Sequence, residues 1–227
     1  MKEEALLSGL LEPTNEAYAI AKISAIKLCR YYNEQHKTNF MSVMPTNLYG
    51  INDNYSFEGS HLLPAFIRKF HLAKLLRHDD LPAIREDFHT RGVPAAYKGP
   101  AGDVVGALAS VGITAESVTL WGSGAPCREL LFADDLAEAC VLLMERYNAQ
   151  EIGEFINLGT GEDMPVRDIA YLVRDVVGYE GGVRWDASRP DGTPRKLVDV
   201  TRAKAFGWKA STALKDGVHL AYKDYLR

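Results

Sequence analysis

Cysteine is scarce in this chain, and long apolar runs are missing altogether. The three cysteines among 227 residues, Cys29, Cys127 and Cys140, are odd in number, widely spaced and never in a C-x-x-C unit. Neither a disulfide framework nor a cysteine-rich zinc site is written here, and no metal site is expected; the usage fits a reducing compartment and a cytoplasmic protein. No stretch of 18 consecutive apolar residues occurs, and the opening MKEEALLSGLLEP is acidic where a secretory signal begins basic. A surplus of positive charge is absent too. Twenty-six basic against 30 acidic side chains give a net charge of −4, which excludes a duplex nucleic acid binder and a polybasic membrane anchor. The G-x-G-x-x-G fingerprint of dinucleotide binding is also missing. Gly159 and Gly161 are followed by Met164 where the third glycine belongs, Gly122 and Gly124 by Cys127, and Gly99 and Gly102 by Val105. Each cluster reads as a loop.

What is present is the composition of an ordinary globular protein, 47% hydrophobic and 25% charged, enough for one large domain or two small ones. From Asn15 to Gln35 apolar residues recur at Tyr18, Ala21, Ala25, Leu28 and Tyr32, the spacing of an amphipathic helix capped by Thr14 or Asn15. Phe40–Leu48 reads as a buried strand, and Ser60 can cap a helix running through Leu76 with Pro64 in its first turn. Residues 77–117 break the rhythm: they predict helices over Pro82–Arg91, closed by Gly92, and Asp103–Val111, closed by Gly112. Beyond them come strands over Val118–Trp121, Phe155–Leu158 and Val183–Asp186. Helices follow Asp134 or Asp135 to Tyr147, span Pro165–Val177, and run from Ala213 to Leu226 under a Ser211 cap. The alternation predicts an α/β fold.

Tyr18 and Lys22 are four residues apart, about 40° apart around a helix axis and roughly 6 Å along it, so the two side chains can share one pocket. An ammonium beside a phenol stabilises the tyrosinate and makes the phenol a usable proton donor to a carbonyl oxygen that receives hydride. A surface helix carrying an unrelated tyrosine and lysine has the same spelling. His36, His71, His78 and His89 lie in polar stretches expected to be exposed. The loops Gly122–Cys127 and Arg189–Arg195 are rich in glycine and proline and stand where loops reach ligands.

The segments EPTNEAYAIAKISAIKLCRYYN and FMSVMPTNLYG resemble the extended short-chain dehydrogenase/reductase family of sugar-nucleotide enzymes. The strings PTNLYG, SHLLPAFIRKFH, WGSGAPCRE and DASRPDGTPRKLVDVTRAKAFGW are similar to its GDP-L-fucose synthase branch, and the resemblance runs through nearly all of the chain. It implies a partial Rossmann-like NAD(P)-binding lobe without its N-terminal half, plus a smaller mixed α/β substrate-binding lobe. On that reading residues 1–60 are the remnant of the dinucleotide-binding lobe. Residues 61–227 are mainly the substrate lobe, with an inserted helical excursion at about 77–117 and some segments returning to the first lobe.

The resemblance implies NADP as cofactor and GDP-4-keto-6-deoxy-mannose and GDP-L-fucose as substrate and product. It also implies a homodimer. Tyr18, Lys22 and His61 fall on catalytic positions, Pro45, Thr46, Asn47 and Leu48 join those three beside the cofactor, and Lys69, Trp121, Arg128 and Asp191 fall on substrate-contact positions. The family's glycine-rich turn, catalytic serine and catalytic cysteine all precede the tyrosine helix, so Met1 is expected to be an internal methionine. Cys29 is about 16 Å further along the helix than Tyr18 and cannot replace the missing cysteine; Cys127 and Cys140 read as packing residues. Two alternatives stay open: another reductase or epimerase acting on a related nucleotide sugar, and a non-catalytic nucleotide-sugar-binding fragment.

Overall fold

The computed structural model describes residues 1–99 and 102–227; Pro100 and Ala101, inside the third glycine cluster, lie outside the described residues. In chain order the elements are α1 (Glu16–His36), β1 (Val43–Pro45), β2 (Asn47–Tyr49), α2 (Leu62–Arg77), α3 (Leu81–Arg91), α4 (Val104–Ser110), β3 (Ser117–Trp121), β4 (Cys127–Arg128) and β5 (Leu130–Phe132). There follow α5 (Ala133–Arg146), α6 (Ala149–Ile152), β6 (Ile156–Leu158), β7 (Met164–Pro165), α7 (Val166–Val177), β8 (Gly182–Asp186), β9 (Arg195–Lys196), α8 (Thr201–Ala205) and α9 (Leu214–Tyr225). The fold is mixed α/β, and it divides into two compact units, each assembled from three separate stretches. One comprises Met1–Leu48, Glu129–Asp163 and Lys196–Thr212, the other Tyr49–Arg128, Met164–Arg195 and Ala213–Arg227.

In the first unit β1 pairs in parallel with β6, Val43 opposite Ile156 and Pro45 opposite Leu158. The single strand expected over Phe40–Leu48 breaks at Thr46. Pro45 has no N–H to continue a ladder, and at Thr46 the chain changes partner. The Thr46 N–H still donates to Leu158 (3.0 Å), while the Asn47 side chain already donates to the Glu129 carbonyl (3.0 Å). The segment is half-buried rather than buried, and Phe40 is exposed. Leu131, Leu143, Ile156, Leu158 and Trp208 form the unit's core, each full burial stabilising by roughly 1.5–3 kcal/mol.

The long helix α1 forms where expected, but its packed side is not the expected stripe. Tyr18, Ala21, Ala25, Leu28 and Tyr32 are exposed, whereas Ile26 is buried, with Ala19, Ile23 and Asn33 partly so. Ile20 and Tyr31 are apolar and exposed as well, so the residues spread around the helix and spacing alone could not select the face. The helix ends at Lys37 in the left-handed region (φ 56°), and the Asn33 amide then fastens the next stretch by bonding both the N–H and the carbonyl of Phe40.

Two caps also differ from expectation. Asp134 and Asp135 lie inside the first turn of α5, with Phe132 at the cap, and Asp135 is buried. Its carboxylate accepts bonds from the Ser211 hydroxyl (2.9 Å) and from the Thr212 N–H (3.0 Å) and hydroxyl (2.9 Å). Ser211 therefore serves Asp135, and Ala213 occupies the N-cap of α9.

In the second unit α2 is buried on nearly every side, against α3, α7 and β3. His61, not Ser60, stands at its N-cap. The helix α7 shows why its sequence folds so: Val166, Ile169, Ala170, Val173 and Val177 line one face, and Gly178 (φ 72°) ends it by bonding back to Arg174 and Asp175. Strand β3 runs parallel to β8, Ser117 opposite Gly182 and Trp121 opposite Asp186.

A buried guanidinium organises this core. Arg68, 1% exposed, pairs with Asp87 (2.7 and 2.9 Å) and donates to the carbonyls of Tyr55 and Arg91, while the Tyr225 hydroxyl donates to the other Asp87 oxygen. Removing one partner of such a pair costs about 3–5 kcal/mol, because the other charge is left buried alone. The helices α2, α3 and α9 are thereby joined.

His71 departs from its expected exposure. It is half-buried against Tyr222 and Tyr225, with its Nδ1 3.0 Å from the Tyr222 hydroxyl. Burial lowers its pKa from 6.5 to about 4. The unfolded chain then binds the proton first as pH falls, so this residue's contribution to stability is complete above pH 6.5 and lost as pH falls from there through 4. Urea denaturation at stepped pH should show that slope in the original protein, and His71→Gln should flatten it.

Candidate functional site

The first unit carries Tyr18, Lys22 and residues 45–48. One turn apart on α1, Tyr18 and Lys22 meet as the spacing required, the Lys22 ammonium lying 5.4 Å from the centre of the Tyr18 ring. Tyr18 is 61% exposed, so its hydroxyl is free to reach a ligand. Pro45 ends β1, and Thr46 and Asn47 aim their side chains at one acceptor, the carbonyl of Glu129 (3.3 and 3.0 Å).

Glu129 is the residue that sequence reasoning missed. It is fully buried. One carboxylate oxygen accepts the Gly161 N–H (2.7 Å) and the Thr160 hydroxyl (3.4 Å), and the other accepts the Val198 N–H (2.9 Å). Counting the bonds of Thr46 and Asn47 to its main-chain carbonyl, three stretches of the unit thus converge on one residue. Gly159 is glycine for the same reason, since a Cβ there would stand 2.3 Å from the Glu129 oxygen. A signal existed: a charged residue directly preceding the apolar run Leu130–Phe132 has little chance of reaching water, and a buried carboxylate must find donors.

The second unit carries His61, Lys69, Trp121, Arg128 and Asp191. His61 is exposed at the start of α2, and further along that helix Lys69, half-buried, directly follows the buried Arg68. The Lys69 ammonium donates to the carbonyls of Val111 (3.0 Å) and Thr119 (3.4 Å), and burial pushes its pKa down to about 8.

The two glycine- and proline-rich loops meet. Asp191 accepts the Ser123 N–H (2.8 Å) and hydroxyl (2.6 Å), bonds that hold its carboxyl below the ordinary range. Gly122 (φ 81°) is required where they touch, because a Cβ would stand 2.4 Å from Asp191. Arg128 donates to the carbonyls of Cys127 and Thr193 (both 2.7 Å), and the Cys127 N–H donates to Pro194 (2.8 Å). Trp121, 70% exposed at the end of β3, carries the Arg189 guanidinium 5.1 Å from its ring. An open aromatic face, cations and an ionised carboxylate are so gathered at the carboxyl ends of two parallel strands, where α/β sheets bind ligands. Two open clefts elsewhere, about 680 Å³ beside Asn54 and Arg91 and about 620 Å³ beside Asn33 and Asn148, include none of these residues.

The family model described as the NAD dependent epimerase/dehydratase family matches residues 1–159. The chain belongs to that family. It is 44% identical over 225 residues to GDP-L-fucose synthase 1 of Arabidopsis thaliana, covering 99% of this chain and 57% of the relative. With the GDP-L-fucose synthase of Escherichia coli K12 it shares 41% over 232 residues, covering 100% of this chain and 61% of that protein. Among solved structures, a GDP-mannoheptose C4 reductase from Campylobacter jejuni with NADP bound superposes with a TM-score of 0.83 at 33% identity, over 100% of this chain and 65% of that one. The chain thus spans about three-fifths of the length of the curated relatives it matches. Its mixed α/β architecture is that of the Rossmann-like epimerases and reductases of the family.

Glu129→Gln tests the convergence on Glu129. The amide keeps the shape but turns one acceptor into a donor, so either Val198 or the pair Gly161 and Thr160 loses its partner, at about 1–3 kcal/mol. Hydrogen exchange at Gly161 or at Val198 should accelerate while exchange in α7 is unchanged.

Proposed function

We propose that the chain carries the substrate-binding and proton-transfer residues of a GDP-L-fucose synthase, which epimerises GDP-4-keto-6-deoxy-mannose at C3 and C5 and reduces its C4 ketone with NADPH to give GDP-L-fucose. The observation that supports this most is the meeting of residues 121–128 with residues 189–194. There Trp121 offers a stacking face for a base, Arg128 a cation for a diphosphate, and Asp191 an acceptor for hydroxyls, which is the recognition set a nucleoside diphosphate sugar calls for. The 44% identity with a GDP-L-fucose synthase over 99% of the chain supports the same reading.

NADP, when bound, supplies the hydride. The residues present fit its nicotinamide end: Tyr18, Lys22, Pro45, Thr46, Asn47 and Leu48 belong to one unit, and His61 is assigned to the same end by the resemblance. The pyrophosphate end is a different matter, because the Gly161 and Ser123 N–H groups are already taken by Glu129 and Asp191. Neither of those loops offers a free fan of amides to phosphate.

In the reduction, Tyr18 donates its phenolic proton to the C4 oxygen, and the Lys22 ammonium over its ring stabilises the negative charge left on the phenol. In the epimerisation, a base takes the proton from the sugar carbon on one face, the part the resemblance gives to the cysteine that precedes the tyrosine helix in the family, and His61 acts as the acid that returns a proton on the other. At the start of α2 its carbonyl accepts the Ala65 N–H (3.0 Å) while its side chain makes no capping bond, which leaves the ring free for that role. A homodimer in the cytoplasm completes the proposal. Among the described residues no helix is long and apolar enough to cross a membrane.

Ligand that binds only the folded form raises the melting temperature. GDP-L-fucose should therefore raise it more than UDP-glucose does at equal concentration; equal shifts, or none, remove the substrate assignment. In a chimera joined to the N-terminal segment of a relative, Tyr18→Phe should abolish NADPH oxidation yet leave deuterium uptake at the sugar carbons. His61→Gln should do the reverse. Full reductase activity in Tyr18→Phe would remove the tyrosine from the mechanism.

A further inference from the structure

The loop that carries Asp191 holds a second kind of chemistry, one that the sequence permits and the fold controls. Asp–Gly occurs twice in the chain, at 191–192 and at 216–217, and Asn–Gly does not occur. An aspartyl residue followed by glycine can close on itself. The glycine amide nitrogen attacks the Cγ of the protonated carboxyl, a C–N bond forms, and the carboxyl OH leaves as water with the amide proton. Water then opens the five-membered succinimide at either carbonyl, which regenerates aspartate or gives isoaspartate, whose main chain runs through Cγ. No electron is transferred, and the water lost is regained. Glycine favours the closure because it has no Cβ to hinder the approach and its backbone turns freely.

The two sites stand in opposite surroundings. Asp216 lies in the first turn of α9, where the Gly217 N–H donates to the Ala213 carbonyl (3.0 Å). The helix fixes the dihedral that closure must turn. Gly217 is also buried, so tightly that a Cβ would stand 2.2 Å from the Tyr49 hydroxyl. Asp191 and Gly192, by contrast, are exposed and lie outside helix and strand. No backbone carbonyl of the described residues takes the Gly192 N–H. A Cβ at Gly192 would stand 3.0 Å from an Arg128 nitrogen, so a guanidinium lies beside this amide, and a cation there favours the deprotonated nitrogen that attacks.

One contact opposes the reaction. Ser123 holds the Asp191 carboxylate through its N–H (2.8 Å) and its hydroxyl (2.6 Å). These bonds fix the side chain and keep the carboxyl ionised, whereas closure needs it turned and protonated. We propose that Asp191 is the isoaspartate site of this chain and that Ser123 guards it, closure proceeding when the clasp between the two loops opens. Isomerisation moves one methylene from the side chain into the main chain, which draws the carboxylate off Ser123 and unfastens the loops. The product carries a free α-carboxylate, the group that an L-isoaspartyl methyltransferase methylates from S-adenosylmethionine. The inference does not depend on the nucleotide-sugar reading.

The experiment incubates the full chain at neutral pH in water enriched in oxygen-18, digests it in ordinary water, and compares the Asp191 and Asp216 peptides by mass spectrometry. Each opening of a succinimide introduces one heavy oxygen, and methylation by the methyltransferase identifies the isoaspartate. The folded chain should label at 191 about tenfold or more faster than at 216, because a loop opens more readily than a packed helix. In urea the two rates should come within about twofold, since the unfolded chain removes the difference in surroundings. Ser123→Ala removes a hydrogen bond to a charged group and should speed labelling at 191 by about tenfold, whereas Ser123→Thr should keep the original rate. Should Ser123→Ala unfold the unit, labelling at 216 rises with it; Ser123→Cys, with its weakly donating thiol, then takes its place and should speed labelling at 191 alone. Equal labelling at the two sites in the folded chain, or no isoaspartate at 191, overturns the site. An unchanged rate at 191 in the folded Ser123 variant that lacks the hydroxyl overturns the guard.

Discussion

A carboxylate with no water around it dictates the arrangement of the first unit. Glu129 is fully buried, and such a group persists only if donors are brought to it. Here the donors come from a loop after β6 and from the approach to α8, while its own carbonyl draws in Thr46 and Asn47. Segments far apart in sequence are pinned to one point by the need to satisfy two oxygens. The glycine at 159 and the engagement of the Gly161 N–H both descend from this requirement.

The second unit meets the same problem with a guanidinium. Five donors on Arg68 are shared among Asp87 and backbone carbonyls, and Asp87 in turn receives Tyr225. Because such a network tolerates no missing member, it fixes how α2, α3 and α9 stand to one another. Against that rigid frame the ligand loops need few contacts of their own: Ser123 with Asp191 and Arg128 with Thr193 hold them.

Much of this was legible in the sequence, and what escaped has a common cause. The spans of α1, α3 and α7 and the closures at Gly92 and Gly112 follow from periodicity and from glycine's freedom at positive φ, both local properties. The Tyr18–Lys22 contact follows from helical spacing for the same reason. What escaped is decided by partners distant in sequence. Ser211 reads as a cap until Asp135 claims it, and His71 reads as exposed until two tyrosines of α9 cover it. The packed side of α1 could not be chosen because apolar residues occur all around it. Only the fold reveals the carbonyls that Lys69 meets.

Each unit is assembled from three separated stretches, the last of them residues 196–212 in one and 213–227 in the other. A chain leaving the ribosome would therefore expose unfinished surfaces of the two units until residues 196–212 and 213–227 have emerged. Val198 must arrive before Glu129 is satisfied, and Tyr225 before Asp87 is. Long sequence separations of this kind slow folding and leave sticky intermediates. Slower translation would give little relief, because the pieces that complete each unit follow their partners by long stretches of chain.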